Sequence, residues 1–129
     1  MEPVDLSPFV AGPTWERDSD GRLILPALTL GWEVIGWVGE YLLDPRSNVH
    51  DPKPWRFTNE QARFILWWYA IDANGRFIYR HGVLQRLKGW GKDPLLAAIS
   101  LVELCGPSRF SHFDPDGSPV GKPHPAPWV

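Results

Sequence analysis

The stretch RLKGWGKDPLLAAISLVELCGP, residues 86–107, decides how this chain is interpreted. Gly89, Gly91 and Lys92 stand between a β-favouring segment and a long apolar run with helical spacing. A phosphate-binding loop needs this order of strand, loop and helix, because loop amides surround the anion and the helix N-terminus adds its dipole. Glycine lets the backbone approach oxygen atoms without an intervening Cβ. The stretch therefore predicts an anion site at which Lys92 reaches the phosphates of a nucleotide.

The match to the usual phosphate-loop pattern, G-x-x-x-x-G-K-[ST], is incomplete. Arg86 occupies the position of the first glycine, and Asp93 replaces the hydroxyl residue that would ligate Mg²⁺. A purely structural alternative is that Asp93 caps the helix and Pro94 is its first residue, with the glycines making a tight turn. A basic lining without acidic residues before Asp93 favours the anion site instead, and consists of Arg76, Arg80, Arg86, Lys88 and Lys92.

Apolar periodicity predicts three helices around this loop. The first follows a capping Thr29 and stops at Asp44-Pro45, and the second begins at a capping box formed by Thr58 and Gln61. Residues 76–86 are β-favouring and predict one or two strands. The third helix runs from about Leu95 to Gly106-Pro107, and the proline-rich chain after Ser108 predicts mostly loop.

Composition restricts the possible class of protein. The chain has 129 residues, a net charge of −2, eight Trp and fourteen Pro, so any nucleic-acid role would need a local basic patch. Most of the tryptophans have helical spacing and predict core packing, and the single Cys105 predicts a buried, inert thiol in a reducing compartment. The acidic N-terminus and the absence of a long uncharged apolar run indicate a soluble, intracellular protein without a membrane span.

The sequence also resembles a family. Residues 84–94, the following Leu-Ala-rich helix and residues 103–107 look like the large terminase subunit of tailed bacteriophages and related prophages, with the closest likeness to actinobacterial phages. Residues 57–61 and 121–124 are similar to the same family. The resemblance covers about 29–129, whereas 1–28 is an irregular leader.

The resemblance implies an α/β fold: the N-terminal portion of an ASCE-like P-loop NTPase domain, with an incomplete sheet and flanking helices. It implies ATP and Mg²⁺ as cofactors, and viral double-stranded DNA, the portal and the small terminase subunit as partners of the complete protein in the host cytoplasm. Homo-oligomers are also expected.

Several residue roles follow from the same resemblance. Lys88 would position the γ-phosphate and Lys92 would neutralise the transferring charge, whereas Asp93 would ligate the metal. Gln61 matches a glutamine that reads adenine, although its capping-box role explains it equally well. The remaining members of the predicted nucleotide site are Arg86, Gly89, Trp90 and Gly91.

The expected catalytic machinery is incomplete in this sequence. Phosphoryl transfer also needs an apolar strand ending in an acidic metal ligand and a carboxylate that orients water. The only acids after Glu103 are Asp114 and Asp116, in a proline-rich segment, and no nuclease-like acidic cluster is present. We therefore expect a terminase piece, truncated before the acidic strand and the nuclease domain, that is inactive alone.

Two hypotheses from other classes remain open. One is a non-catalytic, Trp-rich interaction module that docks a partner subunit. The other is a single-stranded nucleic-acid binder that uses residues 76–92 together with exposed aromatic side chains.

Overall fold

The computed structural model describes residues 13–84 and 91–125. In these ranges the chain forms a short 3₁₀ turn at Pro13–Trp15, three helices and a two-stranded antiparallel sheet, a small α/β arrangement. The helices are α1 (Gly31–Tyr41), α2 (Asn59–Trp68) and α3 (Lys92–Cys105), and the strands are β1 (Arg109–Phe113) and β2 (Pro119–Lys122). Within these residues no helix has the length and apolarity needed to span a membrane.

The start of α1 is fixed by its contact with α2. Thr29 is buried, and its hydroxyl accepts a hydrogen bond from the Gly31 amide (2.9 Å) while donating one to the Leu66 carbonyl oxygen (2.5 Å). A Cβ added to Gly31 would lie 2.7 Å from the Leu66 Cα. The predicted capping role of Thr29 is wrong, because Leu30 is the N-cap and no side chain caps the start of α1, but the Thr29 hydroxyl joins this helix start to α2.

The predicted capping box of α2 is confirmed. Thr58 Oγ1 accepts from the Gln61 amide (3.2 Å), and Gln61 Oε1 accepts from the Thr58 amide (3.0 Å). This reciprocal pair satisfies two amides that the helix itself leaves without acceptors. It also fixes the position of the Gln61 side chain, which matters for the site described below.

The helix predicted from about Leu95 begins three residues earlier, at Lys92, and the purely structural alternative in which Asp93 caps it is wrong. Gly91, not Asp93, is the N-cap, with φ +99°, and Asp93 and Pro94 belong to the first turn. No side chain caps this helix start. Glycine adopts a left-handed φ without strain, and a proline in the first turn removes only an amide that has no intrahelical acceptor. The predicted end at Gly106 is confirmed, since its amide donates to the Val102 carbonyl oxygen.

The strand predicted over 76–86 does not form within the described residues 76–84. Phe77 makes a single antiparallel bridge with Ile71, and the Ile78 amide donates to the Ala70 carbonyl oxygen. Ala70 itself is bridged to Thr29 on its other side. Because a strand requires a partner edge along its length, β-favouring residues beyond Ile78 cannot continue the pairing.

The loop predicted after Ser108 is also wrong, because β1 and β2 form a hairpin there. Asp114 Oδ1 accepts from the amides of Asp116 and Ser118, and Gly117 adopts φ +83°. Asp, Pro and Gly in this order are strong turn residues. The Gly121 amide donates to Glu33 Oε2 (3.1 Å), which anchors the hairpin on α1.

One apolar core joins the three helices, and Tyr69 is its largest fully buried side chain. The Tyr69 hydroxyl donates to Glu103 Oε1 (2.8 Å), and burial, followed by the nearby Glu103 carboxylate, raises the pKa of this phenol. The expectation of a buried Cys105 is wrong, because this residue is exposed, and among the tryptophans Trp32 is 59% exposed whereas Trp37 and Trp68 pack against the core. The buried core residues are Leu30, Val34, Val38, Ile65, Tyr69, Ile71, Leu95 and Val102.

The close approach of α1 and α2 leads to a prediction about the free energy of unfolding. Gly31→Ala should destabilise the fold by about 1–3 kcal/mol, because the new methyl group meets backbone that cannot move aside. Gly36→Ala on the same helix meets nothing within 4 Å and should stabilise it by about 0.5–1 kcal/mol. Urea denaturation of the two variants measures both effects. Equal unfolding free energies for the two variants would contradict the described helix contact.

Candidate functional site

A cavity of about 560 Å³ opens where the end of α1, the approach to α2 and the start of α3 meet. The antiparallel bridge between Leu43 and Pro54 holds two of its walls together. Hydrogen bonds from Trp55 N to Leu42 O (3.1 Å) and from Asp44 N to Lys53 O (2.8 Å) flank this bridge. The lining residues are Asp44, Pro45, Arg46, Trp55, Arg56, Phe57, Thr58, Gln61, Gly91, Lys92, Asp93, Pro94 and Leu95.

The structure brings Gln61 to the start of α3. Its side chain is buried, and its Nε2 lies 2.7 Å from the point where a Cβ at Gly91 would stand. The Oε1 atom accepts from the Thr58 amide in the capping box. Gln61 therefore performs its capping role and still lines the cavity. Its predicted contact with adenine stays a prediction.

Four residues of the predicted nucleotide site lie together on this cavity: Gln61, Gly91, Lys92 and Asp93. Lys92 is half-buried in the first turn of α3, and Asp93 beside it is exposed. The positive end of the α3 dipole points at the same place. The other predicted residues, Arg86, Lys88, Gly89 and Trp90, lie outside the described residues.

Two arginines that the sequence analysis missed also line the cavity, Arg46 and Arg56. Arg46 Nε lies 3.3 Å from Asp44 Oδ1, and hydrogen bonds from the Arg46 backbone and side chain lower the pKa of the Asp44 carboxyl. Arg56 directly precedes the segment that leads into the capping box. Arg56 could have been predicted as part of the site, because it lies close before Gln61 in the sequence. Arg46 could not, because only the bridge at Leu43 brings it to the cavity.

The basic residues that were predicted to line one site are divided between two cavities. For Arg76, Arg80 and Lys92, which the structure describes, the expectation of one continuous basic stretch is therefore wrong. Arg76 and Arg80 line a second groove of about 790 Å³ between the end of α2, α3 and the hairpin. Lys92 lines the first cavity and not this second groove. Aromatic side chains, including Tyr79 and Phe110, form much of the second groove.

Asp93 has few partners for binding a metal. Asp44 is the other carboxylate on this cavity, and within residues 13–84 and 91–125 no three His, Cys, Asp or Glu side chains group as a metal site. Mg²⁺ commonly uses one or two protein carboxylates together with substrate phosphates and water. The donor set thus fits Mg²⁺ that arrives with a phosphate ligand, and it does not fit Mg²⁺ held by protein alone.

The cavity contains groups that attract anions, but its described residues do not complete a catalytic site. Asp114 and Asp116 lie in the hairpin turn and do not line it. In the described ranges no apolar strand ends in a carboxylate beside Lys92. The arrangement offers cations, a helix N-terminus and a buried amide for recognition.

Comparisons with known proteins place the chain among bacteriophage proteins. It is 47% identical over 139 residues to a protein of Mycobacterium phage L5 and 44% identical over 142 residues to one of Mycobacterium phage D29, each named only "Gene 13 protein". Each match covers 95% of this chain but only 23% and 24% of the respective relatives. The chain therefore spans about a quarter of the length of these relatives. No family model and no solved structure matches it.

The contact between Gly91 and Gln61 generates a testable prediction. Gly91→Ala should cost about 1–2 kcal/mol for its left-handed φ, and a smaller further amount because the Gln61 Nε2 must move aside. Gly117→Ala is the matched control, since its φ is +83° but nothing lies within 4 Å. Urea unfolding should show the larger loss at Gly91, partly relieved when Gln61→Ala is added. Similar losses at both glycines would exclude the described contact.

Proposed function

We propose that this chain is the ATP-binding segment of a bacteriophage DNA-packaging motor, the N-terminal part of a terminase large subunit. The observation that carries the proposal is the meeting of Gln61 with Gly91, Lys92 and Asp93 on one cavity. Separate parts of the sequence resemble the adenine-reading and phosphate-binding motifs of that family, and these parts lie together. The phage relatives and their greater length are consistent with it.

In this proposal the phosphates bind at the start of α3. Lys92 and Arg56 are the cations best placed to neutralise them, because Arg46 is already paired with Asp44. The α3 dipole supports negative charge at the same end of the cavity. Gln61 and the half-buried Trp55 line the part of the cavity in which a planar base would lie. Arg86, Lys88, Gly89 and Trp90 join the site by the resemblance alone.

The metal and the remaining machinery are part of the same proposal. Mg²⁺ would be held by Asp93 together with the phosphates, and when bound it neutralises their charge. The described sheet is an antiparallel hairpin and residues 76–84 form no strand, so the parallel sheet of a P-loop NTPase would have to be formed by other polypeptide of the longer protein. Hydrolysis, DNA cleavage and contacts with double-stranded DNA, the portal and the small terminase subunit are proposed for that longer protein.

Nucleotide binding tests the proposal directly. A fluorescent ATP analogue should bind this chain, and Lys92→Ala should weaken binding by about tenfold or more, as expected for loss of one charge-assisted contact. Lys53→Ala is the control, because Lys53 is 63% exposed, pairs with Asp51 and does not line the cavity. Its affinity should match that of the wild type. Unchanged binding in Lys92→Ala, or no binding by the wild type, would contradict the proposal.

The metal dependence of binding is a second test. With Asp93 in the cavity, removal of Mg²⁺ leaves a carboxylate beside the phosphates, so EDTA should weaken ATP binding by at least about tenfold through like-charge repulsion. Asp93→Ser restores the hydroxyl of the usual loop and should reduce this dependence. Titrations of both proteins with and without EDTA measure the effect. Equal affinities of the wild type under the two conditions would rule out the proposed role of Asp93.

A second candidate function, single-stranded nucleic-acid binding, is favoured by the groove that contains Arg76 and Arg80. In the described part of the chain neither guanidinium takes part in an ion pair, and Tyr79 and Phe110 offer aromatic surface beside them. Phosphates and bases would be bound by these two kinds of group.

This candidate is separable from the first by mutation. A labelled oligothymidine should bind more weakly as salt rises, and Arg76→Ala/Arg80→Ala should abolish most binding without changing affinity for ATP. Arg22→Ala, at an exposed arginine outside both cavities, is the control. Salt-independent binding, or equal losses in the double variant and the control, would exclude it.

A further inference from the structure

The outward face of α3 carries no charge along most of the helix. Between Leu96 and Cys105 six residues are exposed, and none is Asp, Glu, Lys or Arg. The exposed fractions of the three leucines are 51%, 39% and 38%. The six residues, here called the outer face of α3, are Leu96, Ala97, Ser100, Leu101, Leu104 and Cys105.

The two polar atoms on this face are directed back onto the helix. Ser100 Oγ donates to the Leu96 carbonyl oxygen (2.9 Å), and Cys105 Sγ to the Leu101 carbonyl oxygen (3.3 Å). A solvent-facing helix surface normally carries charged and polar groups that bind water. The outer face of α3 therefore has almost no polar side-chain groups that could bind water.

The opposite side of α3 is already committed to the core through Leu95, Ala98 and Val102. A helix that is apolar on both sides is typical of a position between two packed layers. The contrast with α1 supports this, because the exposed residues of α1 include the charged Glu40.

We infer that the outer face of α3 is covered, in the longer phage proteins, by polypeptide from outside the segment that matches this chain. About three-quarters of each phage relative lies outside the segment that matches this chain, and this additional polypeptide is long enough to cover the helix. The absence of charge requires an apolar covering surface, since an acidic or basic partner would find no ion pair here. α3 then becomes an internal helix that joins this unit to the rest of the protein. The inference does not depend on nucleotide binding.

Cys105 provides a reporter on this face without any mutation. The experiment compares the 129-residue chain with a chimera in which this chain replaces the matched segment of the phage L5 relative. A bulky maleimide should react with Cys105 at least about tenfold more slowly in the chimera, because the thiol then reacts only during local opening. The control is Val49→Cys in a Cys105→Ser background, since Val49 is 86% exposed. It should react equally fast in both proteins.

A second variant tests the leucines. Leu101→Asp should restore rapid Cys105 labelling in the chimera, by about tenfold, while leaving the unfolding midpoint of the 129-residue chain nearly unchanged. Equal Cys105 rates in chimera and isolated chain would overturn the inference. Protection of Cys105 in the isolated chain that grows with concentration would also overturn it, by showing that a second copy is the occupant. ATP binding measured on the same samples separates either failure from failure of the proposed function.

Discussion

The fold and the candidate site share one constraint, the contact between the Gln61 amide and Gly91. The capping box fixes the glutamine at the start of α2, and a Cβ at the residue that begins α3 would lie 2.7 Å from its Nε2, so that the amide would have to shift. Independently of this contact, the φ of +99° at Gly91 favours glycine where the two helices meet. This arrangement aims the N-terminus of α3, with Lys92, into the cavity that Gln61 lines.

Local signals made some of this structure predictable. The Thr58–Gln61 capping box and the end of α3 at Gly106 each depend on a few neighbouring residues, and both were predicted correctly. Asp93 was considered as the cap, in the purely structural alternative, because it is a good capping residue, but Gly91 takes that position with a left-handed φ of +99°. The hairpin turn at 114–117 had a local signal that the proline-rich composition outweighed.

Which residues line the cavity was only partly predictable, because tertiary contacts bring some of them there. Gln61, Lys92 and Asp93 were identified from motifs, and they do lie on one cavity. Arg46 reaches that cavity through pairing between segments, which a single sequence does not reveal. Arg80 was grouped with Lys92 because the two are close in sequence, yet the chain between 76 and 84 forms no extended strand and turns Arg80 toward another groove. Closeness in sequence was a poor guide where the backbone is irregular.

The most direct test of the central claim is paramagnetic broadening of backbone and side-chain amide signals by Mn²⁺·ATP. The account predicts that the signals of Gly91, Lys92 and the Gln61 side-chain amide broaden first, because the metal would lie at the start of α3. Gly117, in the hairpin turn, should keep its signal, and Mn²⁺ without ATP should broaden little, since the described carboxylates form no metal cluster. Broadening centred on another surface, or identical with and without ATP, would contradict the account.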